Sequence, residues 1–130
     1  MPELMIRVTD AEFAVLEVLW KRGPATIREI CPQVYPTATT SDYATVQKLL
    51  ARLESKHCVA RDRTSFAHVF TPTISRADLI DRQLRAVAEK LCDGSLTPLL
   101  MYLAGASRLT ARDREVLRRL LDEPQPRSEE

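Results

Sequence analysis

The sequence predicts a mainly α fold that contains one small β-hairpin. Three observations lead to this class. Three amphipathic segments with helical spacing come first, between residues 9 and 56. Two short segments rich in β-branched and aromatic residues follow, between residues 59 and 71. Apolar stripes of helical spacing then recur between residues 75 and 121, so the chain returns to helices after the hairpin.

The first helix is predicted from a capping signal and an apolar stripe. Thr9 and Glu12 match a capping box, in which each side chain bonds the backbone N–H of the other residue. The apolar residues that follow at helical spacing are Phe13, Leu16, Leu19 and Trp20. Gly23 and Pro24 end the helix, because glycine accepts a left-handed cap and proline cannot continue the helix.

The second helix is predicted to be short. Thr26 and Glu29 form another capping box, and Pro32 and Pro36 limit the helix to about one or two turns. A polar break follows at residues 35–42. Three residues in it are equivalent candidates for the cap of the third helix: Thr40, Ser41 and Asp42.

The third helix is predicted to extend to about Lys56 and to carry two different faces. Its apolar face consists of Val46, Leu49, Leu50 and Leu53. Its other face is polar and basic and consists of Thr45, Lys48, Arg52 and Ser55. Such a face is either solvated surface or a binding surface for an anionic partner, and the order of the elements helps to choose between them.

A hairpin is predicted after the third helix. Residues 59–61 and 66–71 are predicted as strands joined by a turn at 62–65, and Pro72 ends the second strand. Three helices followed by a hairpin are the layout of a winged helix-turn-helix domain, whose second and third helices form the helix-turn-helix. We therefore assign residues 1–73 to this domain.

The C-terminal part is predicted as a helical dimerisation domain over residues 74–122. A long stripe starts at Ser75, and a second one stops near Gly105. A further capped helix is predicted to start at Thr110. So short a region cannot bury its leucines alone, whereas helices shared between two chains would bury them. Packing against the N-terminal domain is the alternative, and the charged tail at 123–130 is predicted to be disordered.

The third helix of a winged helix-turn-helix would lie in the major groove of DNA. There Lys48 can neutralise phosphate or donate to guanine, Thr45 can offer its methyl group to thymine, and Gln47 can bond adenine. Arg61 and Arg63 of the hairpin can reach a phosphate or the minor groove. The predicted DNA contacts are Thr45, Gln47, Lys48, Arg52, Ser55, Arg61 and Arg63.

The total charge favours a different hypothesis. The chain carries 19 Lys and Arg against 18 Asp and Glu, a formal net charge of +1. The alternative is therefore a winged-helix module that binds a protein and not DNA. Residues 43–63, however, hold five basic residues against two acidic ones, and local clustering matters more for DNA binding than total charge.

Composition and motifs argue against several other classes. No segment approaches the about 20 apolar residues that span a bilayer, and the N-terminus lacks a signal peptide, so we expect a cytoplasmic protein without membrane insertion. The odd number and wide spacing of Cys31, Cys58 and Cys92 predict neither disulfides nor a zinc site. His57 and His68, the latter expected in the second strand, have no nucleophile beside them. No enzyme, metal or cofactor is predicted.

Four segments together resemble the penicillinase repressor family of bacterial transcription regulators. They are "TDAEFAVLEVLWKRGPATIREI", "ATVQKLLARLESKHCVAR", "AHVFTP" and "REVLRRLL", and the resemblance covers residues 8–121. It implies a homodimer whose winged helices each bind one half of a palindromic DNA operator, held together by the C-terminal helices. Thr45 and Lys48 fall where the recognition helix of the family meets DNA, and Ala44 replaces a polar or basic residue common there.

The resemblance also implies a mode of regulation. In antibiotic-responsive members, a membrane metalloprotease sensor triggers cleavage of the repressor in its dimerisation region. The corresponding bond here is Tyr102–Leu103, with Tyr102 in place of the Asn of the best-known relatives. The copper-responsive branch carries clustered cysteines near its C-terminus, and this chain has none, which argues against copper sensing.

Overall fold

The computed structural model describes residues 7–105 and 109–122. In this part of the chain the elements are α1 (Asp10–Arg22), α2 (Ile27–Val34), α3 (Thr40–Ser55), β1 (Val59–Asp62), β2 (Val69–Pro72), α4 (Arg76–Leu91), α5 (Thr97–Gly105) and α6 (Ala111–Asp122). The predicted order and the mainly α class with one hairpin are confirmed. The predicted disordered tail lies outside the described residues, and the predicted domain boundary after residue 73 stays a prediction.

Capping boxes begin the first two helices as predicted. The Thr9 N–H donates to Glu12 Oε1 at 3.0 Å, and the Glu12 N–H donates to Thr9 Oγ1 at 3.2 Å. Thr26 and Glu29 repeat this exchange at the start of α2, at 2.9 and 3.4 Å. The helix that follows has 8 residues, which is about two turns and confirms that it is short.

The cap of α3 was predicted wrongly. The N-cap residue is Thr39, which was not one of the three candidates. Its hydroxyl accepts a hydrogen bond from the Asp42 N–H at 3.1 Å. Asp42 returns the bond, since its carboxylate accepts from the Thr39 N–H at 3.0 Å. The preceding Ala38 has φ of 46°, a left-handed turn after which Thr39 is extended and can cap the helix.

The core of the N-terminal part lies between the first three helices and the hairpin. All four apolar residues predicted for α3 are buried, and Val46, Leu50 and Leu53 have no exposed surface. They pack with apolar residues of the other elements: Val15, Leu16, Leu19, Ile30, Cys31, Val59 and Phe70. Burial of one such Leu contributes about 1.5–3 kcal/mol, so this stripe fixes the orientation of α3.

The hairpin is antiparallel and shorter than predicted on one side. The pairing runs from Val59 with Pro72 to Asp62 with Val69. Residues 66–68, predicted as strand, and therefore His68, lie in the loop. The physical reason is a turn at Asp62, whose carboxylate accepts from the Thr64 N–H at 2.9 Å and directs the chain away from the ladder.

A third segment, which the sequence did not predict, pairs with this hairpin. The Ala25 N–H donates to the Phe70 carbonyl at 3.0 Å, and the Phe70 N–H donates to the Ala25 carbonyl at 2.8 Å. This bridge joins the loop between α1 and α2 to β2. It holds the hairpin, here called the wing with its loop at residues 63–68, against the helices.

The chain divides into two compact units within α4, between Ala86 and Val87. In the first unit, Trp20 Nε1 donates to the Ile74 carbonyl at 2.8 Å, and the Arg76 guanidinium lies 4.9 Å from the Trp20 ring centroid. These contacts fix the segment that enters α4. In the second unit, the predicted start of α6 is confirmed, because the Asp113 N–H donates to Thr110 Oγ1 at 3.0 Å.

Candidate nucleic-acid interface

The burial of the apolar stripe turns the opposite face of α3 to solvent. Its exposed residues, called here the α3 face, are Ala44, Gln47, Lys48, Ala51, Arg52 and Ser55. Thr45 lies at the margin of this face, half-buried, and its hydroxyl donates to the Ser41 carbonyl at 3.1 Å. The Thr45 oxygen can still accept a hydrogen bond, and the helix itself fixes its position.

Two alanines on the α3 face were not assigned from the sequence. Ala44 and Ala51 are both exposed, on the same side as Lys48. Small side chains there allow the helix backbone to approach a groove closely, and a methyl group can contact the thymine methyl. The family resemblance had already singled out Ala44 as a replacement at this place, whereas Ala51 was passed over and helical spacing counted from the buried stripe would have found it.

Lys48 and Arg52 are the free cations of this face. Both are exposed, and within the described residues neither forms an ion pair with a carboxylate. They are four residues apart on one helix and therefore project to the same side. A polyanion that approaches α3 meets these two charges without first having to break an internal salt bridge.

The other basic residues of this segment are engaged within the protein. Lys56 Nζ lies 2.6 Å from Glu12 Oε1, and the Glu12 side chain is only 1% exposed. Because a buried carboxylate requires a partner, Lys56 serves the core and not the surface. The basic residues counted from the sequence therefore do not all face solvent. Lys56 pairs with buried Glu12, whereas Lys48 and Arg52 lie on the α3 face.

The two wing arginines share one carboxylate. Arg61 Nη2 lies 3.2 Å from Glu54 Oε1, and Arg63 Nη2 lies 3.2 Å from Glu54 Oε2. The Arg61 side chain is 16% exposed and its guanidinium lies 4.8 Å from the Phe70 ring centroid, whereas Arg63 is 58% exposed. Arg61 is therefore mainly a packing residue, and Arg63 is the wing cation that an external phosphate can reach.

A cleft of about 600 Å³ opens between the start of α2, α3 and the wing. It brings Gln47 and Arg61 of the predicted set together with Arg28, Tyr43 and His68, which the sequence did not assign to the interface. Phe66, at the wing loop, also lines it and is fully exposed. The cleft thus joins the α3 face to the wing by a surface with hydrogen-bond donors from three elements.

The described residues contain no candidate metal centre. No group of three or more His, Cys, Asp and Glu in residues 7–105 and 109–122 is arranged to hold a metal ion. Cys31 and Cys58 are buried free thiols, and burial raises the pKa of both, which keeps them protonated and unreactive. None of the described helices is long and apolar enough to cross a membrane.

Comparison with known proteins gives consistent matches along nearly the whole chain. A family model described as "Penicillinase repressor" matches residues 8–123. The penicillinase repressor of Bacillus licheniformis is 25% identical over 124 residues, which cover 95% of this chain and 96% of that protein. The transcriptional regulator BlaI of Mycobacterium tuberculosis is 31% identical over 121 residues, covering 92% of this chain and 86% of the relative. These matches confirm the resemblance seen in the sequence.

Proposed function

The chain belongs to the penicillinase repressor family, and from this premise we propose that it is a DNA-binding transcriptional repressor that acts as a homodimer on a palindromic operator. The observation that carries the proposal is the α3 face, a solvent-exposed helix surface whose Lys48 and Arg52 form no ion pair within the described residues. A helix of this kind fits the major groove, which is about 12 Å wide. The protein regulates by binding and does no chemistry on its ligand.

In this proposal, contacts divide between bases and backbone. Thr45 and Gln47 lie in the N-terminal half of α3, Lys48 follows directly at its middle, and all three meet base edges. Arg52 and Ser55 lie further along the helix and meet phosphate, as Arg63 does from the wing. Gln47 lines the cleft, so it can also contact the strand that passes between α3 and the wing.

Exposed apolar side chains support the homodimer. Thirteen of the fourteen large apolar side chains exposed in the described chain lie between Ile80 and Leu121. In α6, four of them share one side: Val116, Leu117, Leu120 and Leu121. A contiguous apolar surface of this kind marks an interface, and a second copy of the chain offers a matching surface by symmetry.

A DNA selection with the purified protein tests the proposal. Pooled genomic fragments should yield an enriched palindrome, and affinity for it should fall steeply with salt because phosphate contacts release counterions. The double variant Lys48→Ala, Arg52→Ala should lose operator binding and remain a dimer. The matched control removes two cations, Lys21→Ala and Arg22→Ala, from the C-terminal end of α1 and should bind like the unmodified protein.

Two outcomes would contradict the proposal. Unchanged operator binding by the Lys48→Ala, Arg52→Ala variant would remove α3 from the interface. No enriched sequence, from protein shown to be folded and dimeric, would favour the protein-interaction module instead.

We also propose that repression ends by proteolysis at Tyr102–Leu103, triggered by a membrane metalloprotease sensor. Both side chains are exposed, at 58% and 42%, and α5 has no buried residue. Local unwinding of this helix therefore costs little packing within one chain, and it can present the bond to a protease when the proposed dimer dissociates. After exposure of the producing bacterium to a β-lactam, mass spectrometry should find a fragment that ends at Tyr102.

A matched variant sharpens this second proposal. Tyr102→Asn restores the residue that the resemblance places before the cut bond, so it should increase the yield of the fragment. An intact chain in both forms, under a dose that induces resistance, would contradict proteolytic derepression at this bond.

A further inference from the structure

Glu54 holds a central position between α3 and the wing. It is the last residue but one of α3, and its carboxylate places one oxygen on each wing arginine, at 3.2 Å in both cases. Within the described chain these two arginines have no other carboxylate partner. One anionic side chain is therefore shared by both wing arginines, and it offsets one of their two positive charges.

The two pairs differ in how easily they break. Arg61 is held by Glu54 and also by the Phe70 ring, and little of its side chain reaches solvent. Arg63 is held by Glu54 alone and is 58% exposed. A pair this exposed is weak and screened by salt, so a well-placed phosphate can displace Glu54 from Arg63. Glu54 then keeps Arg61 as its partner.

We propose that Glu54 competes with DNA phosphate for Arg63 and thereby limits sequence-independent binding. This inference rests on the proposed function. Non-specific affinity comes almost entirely from phosphate contacts, so a wing arginine that is already paired contributes little to it. Lys48 and Arg52, which have no such partner in the part of the chain that the structure describes, then carry more of the binding and are on the helix proposed to read the bases.

The Glu54→Gln variant releases Arg63 without removing the side chain that packs beside Arg61. Its affinity for a non-operator duplex should rise about fivefold at low salt, and the slope of log K against log salt should steepen by about 0.9, the value for one added phosphate contact. Glu54→Asp retains the charge and should keep the slope of the unmodified protein. A purely structural role for Glu54 predicts the opposite, namely weaker binding from a loosened wing.

A double-mutant cycle with Arg63→Gln separates competition from a simple loss of negative charge. If Glu54 acts through Arg63, Glu54→Gln should change neither affinity nor slope in the Arg63→Gln background. Arg63→Gln alone should weaken operator binding, and it should change the slope for non-operator DNA by much less than the about 0.9 that Glu54→Gln adds, because Glu54 already pairs with Arg63 there. Non-operator binding would be measured by fluorescence anisotropy with a random-sequence duplex, after circular dichroism shows each variant to be folded.

Three results would overturn the inference. Equal effects of Glu54→Gln in both backgrounds would show a general charge effect, and an unchanged salt slope would show that Arg63 gains no phosphate. If the unmodified protein binds no duplex at any salt concentration, the proposed function itself fails. Binding by the unmodified protein without coupling in the cycle leaves the proposed function standing and rejects only the role of Glu54.

Discussion

The two compact units of this chain use the same kind of apolar stripe in opposite ways. In α3, the predicted stripe of four residues is at most 4% exposed, because α1, α2 and the wing pack around it. In α6, four apolar residues that also share one side of the helix are 41–76% exposed, and no residue of that helix is buried. Helical periodicity alone therefore does not distinguish a helix that completes a core from one that presents its apolar side to solvent.

This difference indicates which unit depends on a partner. The first unit encloses its own core, and Phe66, Ile80 and Leu84 are its exposed large apolar side chains in the described part of the chain, so we expect this core to form without another chain. The second unit leaves its leucines exposed, and exposed apolar surface of this extent favours association. Stability of the first unit should therefore be independent of protein concentration, whereas the second should gain stability only when two chains meet.

The largest effect should follow from placing charge on the exposed apolar side of α6. Leu117→Asp with Leu120→Asp would bury four unpaired carboxylates in the interface of the proposed homodimer, which should raise its dissociation constant at least about a hundredfold. Sedimentation equilibrium would measure it. The matched control, Arg118→Asp with Arg119→Asp, changes residues that are 66% and 74% exposed on the same helix and should weaken the dimer much less.

The winged-helix unit should stay folded when α6 carries these two substitutions. Its thermal unfolding should remain cooperative in the Leu117→Asp, Leu120→Asp protein, because its core contains no residue of α6. Loss of the folded winged helix in this variant would show that the two units stabilise each other and would break the comparison.

The next largest effect concerns the internal pair between Lys56 and Glu12. Lys56→Met leaves the Glu12 carboxylate buried without a charged partner, which should lower the free energy of unfolding by about 3–5 kcal/mol. Urea denaturation would measure this loss. Lys90→Met, at an exposed position in the last turn of α4, is the control and should change stability by less than about 0.5 kcal/mol.

A second substitution tests the cause of this loss. Glu12→Gln combined with Lys56→Met removes both charges and should recover much of the stability, since a buried ion pair replaced as a whole is often nearly neutral. If the double variant is no more stable than Lys56→Met, the loss arises from packing of the lysine stem and not from an unpaired charge.

A single core deletion should cost somewhat less. Leu50→Ala removes a side chain with no exposed surface and should lower the free energy of unfolding by about 2–5 kcal/mol through lost burial and a residual cavity. Arg52→Ala, exposed on the same helix, should change it by less than about 0.5 kcal/mol. If urea denaturation gives equal losses of unfolding free energy for Leu50→Ala and Arg52→Ala, then Arg52 contributes to the packing of the fold and the α3 face is not simply exposed to solvent.

Local patterns were sufficient for most of the fold. The capping boxes at Thr9, Thr26 and Thr110 depend on residues three positions apart, so the sequence displays them directly. The same holds for the buried stripe of α3. The start of β2 was predicted three residues too early, because the segment rich in aromatic and β-branched residues begins at Phe66 while the turn at Asp62 prevents residues 66–68 from pairing.

The interface was less predictable, because its electrostatics depend on contacts between distant residues. Lys56 reaches Glu12 across 44 positions of sequence, and no local pattern announces that pair. Arg61 and Arg63 looked equivalent in the sequence, and only the positions of Glu54 and Phe70 distinguish them. Whether the predicted contact residues touch DNA stays a prediction that the binding experiments address.

The smallest expected change in stability comes from the N-cap residue of α3. Thr39→Ala removes the hydroxyl that accepts from the Asp42 N–H, and loss of such a cap should lower the free energy of unfolding by about 1 kcal/mol. Thr40→Ala, one residue further on, is the matched control, since Thr40 is exposed and already helical. It should change stability by less than about 0.5 kcal/mol, because alanine is a better helix former than threonine.

A greater loss of unfolding free energy from Thr40→Ala than from Thr39→Ala in urea denaturation would place the cap at residue 40, where the sequence had also allowed it. Because the winged-helix unit is expected to fold without a partner, both values should be the same at low and high protein concentration.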